Sequence, residues 1–268
     1  MAKYIYKRCL LLLITCLLTS SCGILFNRNW NQAQLAQAAS SALTAASITD
    51  AQIIALSQRT VQQLDAQNKL APKPYQDRLE QLLSGVTVEG LQLNFKVYQT
   101  DEINAFACGD GSIRVYSGLM DIMDDSELMA IIGHECGHVV HQDTKHAMKK
   151  AYMANAARNV IAANGGIIGT LSSTVLGDLG EAFIGSQFSQ KQEYRADEYG
   201  YKFSTEHGYS PYSMSNALYK LVSLSNGAKA SLVQKMFSSH PDSAKRAEKM
   251  KVKADLDLKN KLENSKKQ

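Results

Sequence analysis

Over residues 49–70 the apolar residues Ile53, Ile54, Leu56, Val61 and Leu64 recur at close to helical spacing. The run stops before Pro72 and Pro74, so a helix ended by proline is predicted. Residues 75–83 read as a second helix. After Gly90 the period shortens: Leu91, Leu93, Phe95 and Val97 alternate with polar residues, the pattern of a half-buried strand. Residues 103–107 and 113–116 are further strands, and Gly109-Asp110-Gly111 between them suits a hairpin. No other stretch has a clear two-residue period, so the sheet is small.

Asp124-x-x-Glu127 has the form of a capping box in front of Leu128, Ile131 and Ile132. The helix it opens runs through His134-Glu135-Cys136-Gly137-His138. Helical patterning returns over residues 144–163. Residues 164–185 are apolar but interrupted by Gly and Ser, which argues against a spanning helix; they read as a mobile connection or lid, or as plain packing between helices. Residues 181–203 are helical again, ending near Gly208. Ser210-Pro211 supplies an N-cap and a first-turn proline for the next helix. A Ser-Ser-His-Pro turn at 238–241 leads into a basic terminal helix and a Lys-rich tail.

Composition adds that the chain is globular in type, 45% hydrophobic and 20% charged over 268 residues. Its formal charge is +4, but Lys3, Lys7 and Arg8 supply three of the positives; without them the balance is 26 against 25. A near-neutral body gives no case for nucleic acid as a partner. Those three cations precede a short apolar run, Leu10 to Leu18, too short to remain as a membrane span, so a signal peptide is predicted over residues 1–21. Ser21 just before Cys22 resembles a bacterial lipoprotein signal in which Cys22 becomes the acylated N-terminus, although Leu18 stands four residues before the Cys rather than three. Ordinary secretion is the alternative. Gly23 after Cys22, where Asp resembles an inner-membrane retention signal, points to the outer membrane. Residues 22–48 read as a tether, 49–252 as the folded domain and 253–268 as a basic tail. Of the five cysteines, Cys108 and Cys136 remain in the folded body; a disulfide and two buried thiols are both open readings.

The chemistry lies on the helix that Asp124-x-x-Glu127 opens. Residues four apart share a face, so His134 and His138 project together and can bind one Zn²⁺ at about 2.0–2.1 Å each. Glu135 is one step round the helix, poorly placed as a ligand but able to take a proton from a water that zinc acidifies toward about pH 7. Gly137 lets another segment approach closely. A catalytic zinc wants a third protein ligand and an open fourth position. Glu193 is the preferred third ligand, because Asp197 follows four residues later and can accept the outer N–H of His134; Glu198 is the alternative. His240 can steady an oxyanion or occupy the fourth zinc position at rest. Arg246 is an oxyanion donor or the partner of a structural ion pair. His141, His146 and His207 read as surface residues.

Asn104-Ala105-Phe106-Ala107, Ser117-Gly118-Leu119-Met120, His134-Glu135-Cys136-Gly137-His138, Glu193-x-x-Ala196-Asp197 and Ser239-His240-Pro241 occur in this order. In that order they resemble the gluzincin metallopeptidases related to HtpX, the Oma-type proteases and the CAAX prenyl protease, and are most similar to LoiP-like outer-membrane lipoprotein proteases. The resemblance covers about residues 51–250. It implies an α+β zincin fold, mainly helical around a small β-sheet. It also implies one zinc per chain held by His134, His138 and Glu193, with Glu135 as catalytic base. Asn104, Ala105 and Phe106 would then border the cleft, where an extended substrate adds to the sheet edge. The expected activity is endoproteolysis of unfolded or misfolded envelope proteins, from a lipid anchor at Cys22 on the periplasmic face of the outer membrane. The rival reading is a chaperone-like or scaffolding lipoprotein with zinc as a fold support. Structural zinc sites usually fill all four positions, often with Cys, so Glu135 beside an open site favours the enzyme.

Overall fold

In the structure, a computed structural model describing residues 48–88, 92–159 and 171–266, Thr49 opens the first helix with a reciprocal cap. Its hydroxyl accepts from the Gln52 N–H while the Gln52 side chain accepts from the Thr49 N–H. Helix α1 covers Asp50–Gln67, and α2, Lys73–Leu82, carries Pro74 in its first turn, where a missing N–H costs nothing. The predicted signal peptide, Cys22 and most of the tether lie outside the described residues, as does Leu91.

The strands are β1 (Asn94–Tyr98), β2 (Ala105–Ala107) and β3 (Ser112–Tyr116). β2 and β3 form the expected antiparallel hairpin, with Phe106 opposite Arg114. At its turn Gly111 has φ +89°, and a Cβ there would stand 2.6 Å from the Gln92 carbonyl oxygen, so glycine is required. β1 pairs in parallel with β3, and the order β1-β3-β2 leaves β2 at an edge. The strand expected from residue 103 begins only at Ala105, because the Ile103 N–H turns away to the Leu232 carbonyl. β3 is buried on both faces.

Helix α3 (Ser117–Ile122) follows, then α4 (Asp125–Val140), opened by the predicted capping box between Asp124 and Glu127. The remaining helices are α5 (Asp143–Asn159), α6 (Ser173–Ile184), α7 (Gln190–Glu206), α8 (Ser213–Ser225), α9 (Gln234–Ser239) and α10 (Ser243–Ser265). The sheet divides two apolar cores. Ala105, Ala107, Ile113 and Val115 face α4, α8 and α10, while Tyr98, Phe106 and Tyr116 face α1, α5 and α6. Successive strand residues point to opposite faces, so both cores are fed from one short sheet.

Some element boundaries differ from those expected. Residues 181–203 are not one helix: α6 ends at Ile184 and Ser189, capped reciprocally with Gln192, starts α7. Part of the glycine-rich stretch is therefore the helix α6, whose Leu176, Leu179 and Phe183 pack in the second core; residues 164–170 lie outside the described residues. Pro211 does not sit in the first turn of α8, which begins at Ser213; the Ser210 hydroxyl instead accepts from the Tyr212 N–H in the preceding turn. The boundary expected at residue 253 falls inside α10, where Ala254 is buried. Among the described residues no helix is long and apolar enough to cross a membrane.

The pair that positions the site is α4 on α7. Cβ atoms built on Gly133, Gly137 and Gly200 would meet Phe203, Tyr199 with Ala196, and the Ala130 and His134 backbone, all within 3.1 Å. Glycine at these crossings lets two helices carrying polar side chains come close enough for those side chains to meet.

Candidate metal centre

His134 and His138 present their Nε2 atoms 3.1 Å apart from one face of α4. Glu193, in the first turn of α7, reaches between them: Oε1 lies 3.3 Å from His138 Nε2 and Oε2 3.7 Å from His134 Nε2. His240, at the end of α9, brings Nδ1 to 3.0 Å from Glu193 Oε1 and 3.3 Å from His134 Nε2. All four are buried, and their donor atoms lie within 4.8 Å of one another. Four ligands at zinc's usual distance would stand about 3.3 Å apart in a tetrahedron. The separations of 3.0–3.7 Å fit that, as does the donor chemistry of imidazole and carboxylate. Glu198, the alternative ligand, is exposed, and neither cysteine belongs to the cluster.

Each α4 histidine has an outer partner. His134 Nδ1 lies 2.9 Å from Asp197 Oδ1, the contact expected from the Glu193/Asp197 spacing. His138 Nδ1 lies 3.2 Å from Asp143 Oδ2. Burial pushes His134 below its ordinary pKa, against Asp197. His138 is also opposed by burial, yet Asp143 and Glu193 pull it up to about 9. A metal bound at His138 Nε2 must therefore displace a proton at neutral pH. Burial alone would raise the Glu193 carboxyl, but His240, His138 and His134 hold it well below the usual range.

Arg246 makes ion pairs with both buried carboxylates of α7. Its Nε and Nη2 donate to Asp197 at 2.8 and 2.6 Å, and Nη1 pairs with Glu193 and approaches the Pro241 carbonyl. Every nitrogen of the guanidinium faces the back of the centre, and the ion-pair alternative holds. Asp197 is kept ionised by this cation in spite of burial.

On the open side, the cleft is lined by Ala105, Phe106, Ala107, Glu135, Phe188 and His240. Its free space is about 10 Å³, near the least that holds one water. Glu135 Oε1 is buried there without a hydrogen-bond partner among the described residues, 3.7 Å from His240 Nε2. Asn104 is buried, with its carbonyl accepting the Tyr116 N–H and its Oδ1 unpartnered among the described residues. The Phe106 ring packs against Tyr98, Tyr116 and Phe183 in the second core, so its side chain is structural.

Cys108 and Cys136 are free, buried thiols, which decides between the two readings. Cys136 belongs to the core that α4 packs into, and burial together with Glu135 raises its thiol to about 12. Of the other histidines, His146 and His207 are exposed and His141 is half-buried against the Tyr199 ring.

Sequence reasoning missed two contacts. Phe188, in the break between α6 and α7, stacks on His138 with ring centroids 4.0 Å apart, and its N–H donates to the Ser239 carbonyl. Asp143 was missed because it lies past the end of α4, where helical spacing no longer applies.

A family model described as peptidase family M48 matches residues 72–254. Metalloprotease LoiP of Escherichia coli K12 is 40% identical over 234 residues, covering 86% of this chain and 91% of its own length. Metalloprotease YcaL of the same organism is 36% identical over 211 residues, 77% of this chain and 82% of that protein. The beta-barrel assembly-enhancing protease of Yersinia pestis is 30% identical over 173 residues, 59% of this chain but 35% of that longer protein.

Proposed function

Because the chain belongs to peptidase family M48 and is a zinc metalloendopeptidase, we propose that it cleaves internal peptide bonds of unfolded or misfolded envelope proteins with Glu135 as general base. The observation that carries this reading is the unpartnered, buried Glu135 Oε1 facing a cleft with room for about one water beside the metal ligands. His134, His138 and Glu193 would hold the zinc, which would supply Lewis-acid chemistry by lowering the pKa of a water toward about 7 and polarising a carbonyl. Glu135 accepts a proton from the attacking water and passes it to the leaving amine. Asp197 and Arg246 fix the tautomer of His134 and the aim of Glu193.

Substrate aligns on the edge strand β2, where backbone groups of Ala105 and Phe106 bind an extended chain with little demand on its side chains. Asn104 Oδ1 accepts a substrate N–H. A segment that can lie flat on this edge is an unfolded one. One relative is named for enhancing β-barrel assembly, which supports a protein substrate of this kind. An acylated Cys22 would hold the domain at the periplasmic face of the outer membrane, through the tether over residues 22–48. Cys22→Ser should then release the chain from the membrane fraction.

At rest, His240 would supply the fourth ligand, a reading supported by its Nδ1 lying within 3.3 Å of both Glu193 and His134. Substrate entry moves it aside, and its imidazole then faces the scissile carbonyl as a donor.

The deciding experiment is Glu135→Gln assayed on casein with zinc content measured alongside. Cleavage should fall by at least about 100-fold with one zinc retained. Full zinc with wild-type cleavage would remove Glu135 from the mechanism.

A further inference from the structure

Gln142 lies just past the end of α4 with φ +63°, a left-handed conformation that side-chain-bearing residues rarely adopt. It reverses the chain so that Asp143, the first residue of α5, points back at the ligand face of α4. Asp143 is buried, and both its oxygens are used. Oδ2 faces His138 Nδ1 at 3.2 Å, while Oδ1 accepts from Gln192 Nε2 at 2.8 Å and Arg195 Nη2 at 3.0 Å. Gln192 and Arg195 flank Glu193 on α7. One carboxylate thus touches the second histidine ligand, the residue just before the third ligand and the residue two places after it.

We propose that Asp143 is a positioning residue for the zinc centre, fixing His138 with its proton on Nδ1 and its Nε2 lone pair toward the metal while clamping the Glu193 turn of α7. The role rests on the zinc reading above and adds a second outer carboxylate to the one supplied by Asp197. The two differ in what holds them. Asp197 is backed by the buried Arg246, whereas Asp143 is backed by Gln192 and the partly exposed Arg195. Loss of an outer partner to a ligating histidine typically weakens metal binding about 10–100-fold. Asparagine cannot replace Asp143: with one oxygen and one NH₂, it must turn a donor either toward His138 Nδ1–H or toward Gln192 and Arg195.

The competing role is structural. An acidic residue in the first turn of α5 also stabilises that helix through its dipole, and this would lower the melting temperature without changing the centre. The full chain is tested as wild type, Asp143→Asn, Asp143→Ala and Arg195→Gln. Each is stripped of metal and titrated with Zn²⁺ against a competing chelator, and each is loaded with Co²⁺ for its d–d spectrum. The proposal expects both Asp143 variants to lose at least about 10-fold in zinc affinity, with an altered cobalt spectrum. Arg195→Gln, which leaves Gln192 in place, should show a smaller loss. Should Asp143→Ala fail to fold, Asp143→Asn, nearly isosteric, carries the measurement. Wild-type affinity and spectrum in folded Asp143→Asn, with only a lowered melting temperature, would overturn the proposal. A wild-type chain that takes up no zinc would overturn the centre itself and the role with it.

Discussion

Gly200→Ala tests whether the distance between α4 and α7 sets the metal geometry. A Cβ at Gly200 would lie 2.6 Å from the Ala130 carbonyl oxygen, 2.9 Å from the His134 nitrogen and 3.2 Å from its Cα. All three are backbone atoms and none can rotate away. Ordinary contact begins at 3.4 Å, so the helices must separate by about 0.8 Å at this point. Overpacking of this kind typically costs about 1–3 kcal/mol, more where rigid backbone must move. Alanine's better helix propensity returns up to about 1 kcal/mol. The net expectation is a loss of up to about 2 kcal/mol, the difference of those two terms. The effect on activity should be larger, because α4 carries His134 and His138 while α7 carries Glu193. Misplacing a catalytic group by about 1 Å can cost about 100-fold in rate. The measurements are denaturant unfolding and kcat/KM on casein, with Gly227→Ala as control. Its nearest neighbour would be the Leu224 carbonyl at 3.8 Å, so it should change neither quantity. A Gly200→Ala protein with wild-type stability and kcat/KM would refute the view that this close approach sets the centre.

Arg246→Met removes the cation between two fully buried carboxylates; the metal-free protein should lose about 3–5 kcal/mol, read as a lower denaturant midpoint at unchanged slope. A loss below about 1 kcal/mol would mean that Glu193 and Asp197 are compensated by the histidines alone. Burial alone would raise the Asp65 carboxyl, but hydrogen bonds from Arg114, Lys96 and Tyr98 lower it below its usual 3.8. Its stabilising effect is therefore complete above pH 3.8 and fades as pH falls through the lower folded value. Asp65→Asn should flatten the acid limb of the stability profile in that window; an unchanged limb would show that other carboxylates govern it. Cys108 and Cys136 should resist a thiol reagent in the native protein and both react after unfolding. A disulfide-linked peptide pair in non-reducing mass mapping would contradict the free thiols.

What could be read from the sequence was whatever repeats within one element. The spacing of His134 and His138, and of Glu193 and Asp197, places each pair on one face of its helix wherever the helix packs. The capping box at Asp124 and Glu127 is equally local. The breaks were harder. Glu181 to Phe203 looks continuous because Phe183, Ile184 and Phe188 keep the segment apolar, yet Gly185 and the Ser189 cap divide it. The two buried faces of β3 were hidden for a related reason. Arg114 and Tyr116 are polar by residue type but lie under α1, where Asp65 pairs with the guanidinium and Phe106 packs on the phenol ring. Alternation in the sequence cannot distinguish a polar residue facing water from one satisfied inside.

The same distinction separates the two halves of the metal centre. His134, His138 and Glu193, with Asp197 behind them, follow helical period, whereas other groups around them arrive from places where the period fails. Asp143 follows the left-handed Gln142, Phe188 lies between α6 and α7, and His240 precedes the left-handed Asp242. Such positions hold a side chain more rigidly than a helix surface does, since the backbone itself is fixed by the reversal and by bonds such as Phe188 N–H to the Ser239 carbonyl. A zinc centre needs its ligand directions held to within a fraction of an ångström. Helix spacing brings the donor atoms near one another, and the three reversals supply the remaining constraint. Substitutions at Gln142 or Asp242 should accordingly disturb the centre more than substitutions at most exposed positions of α4 or α7.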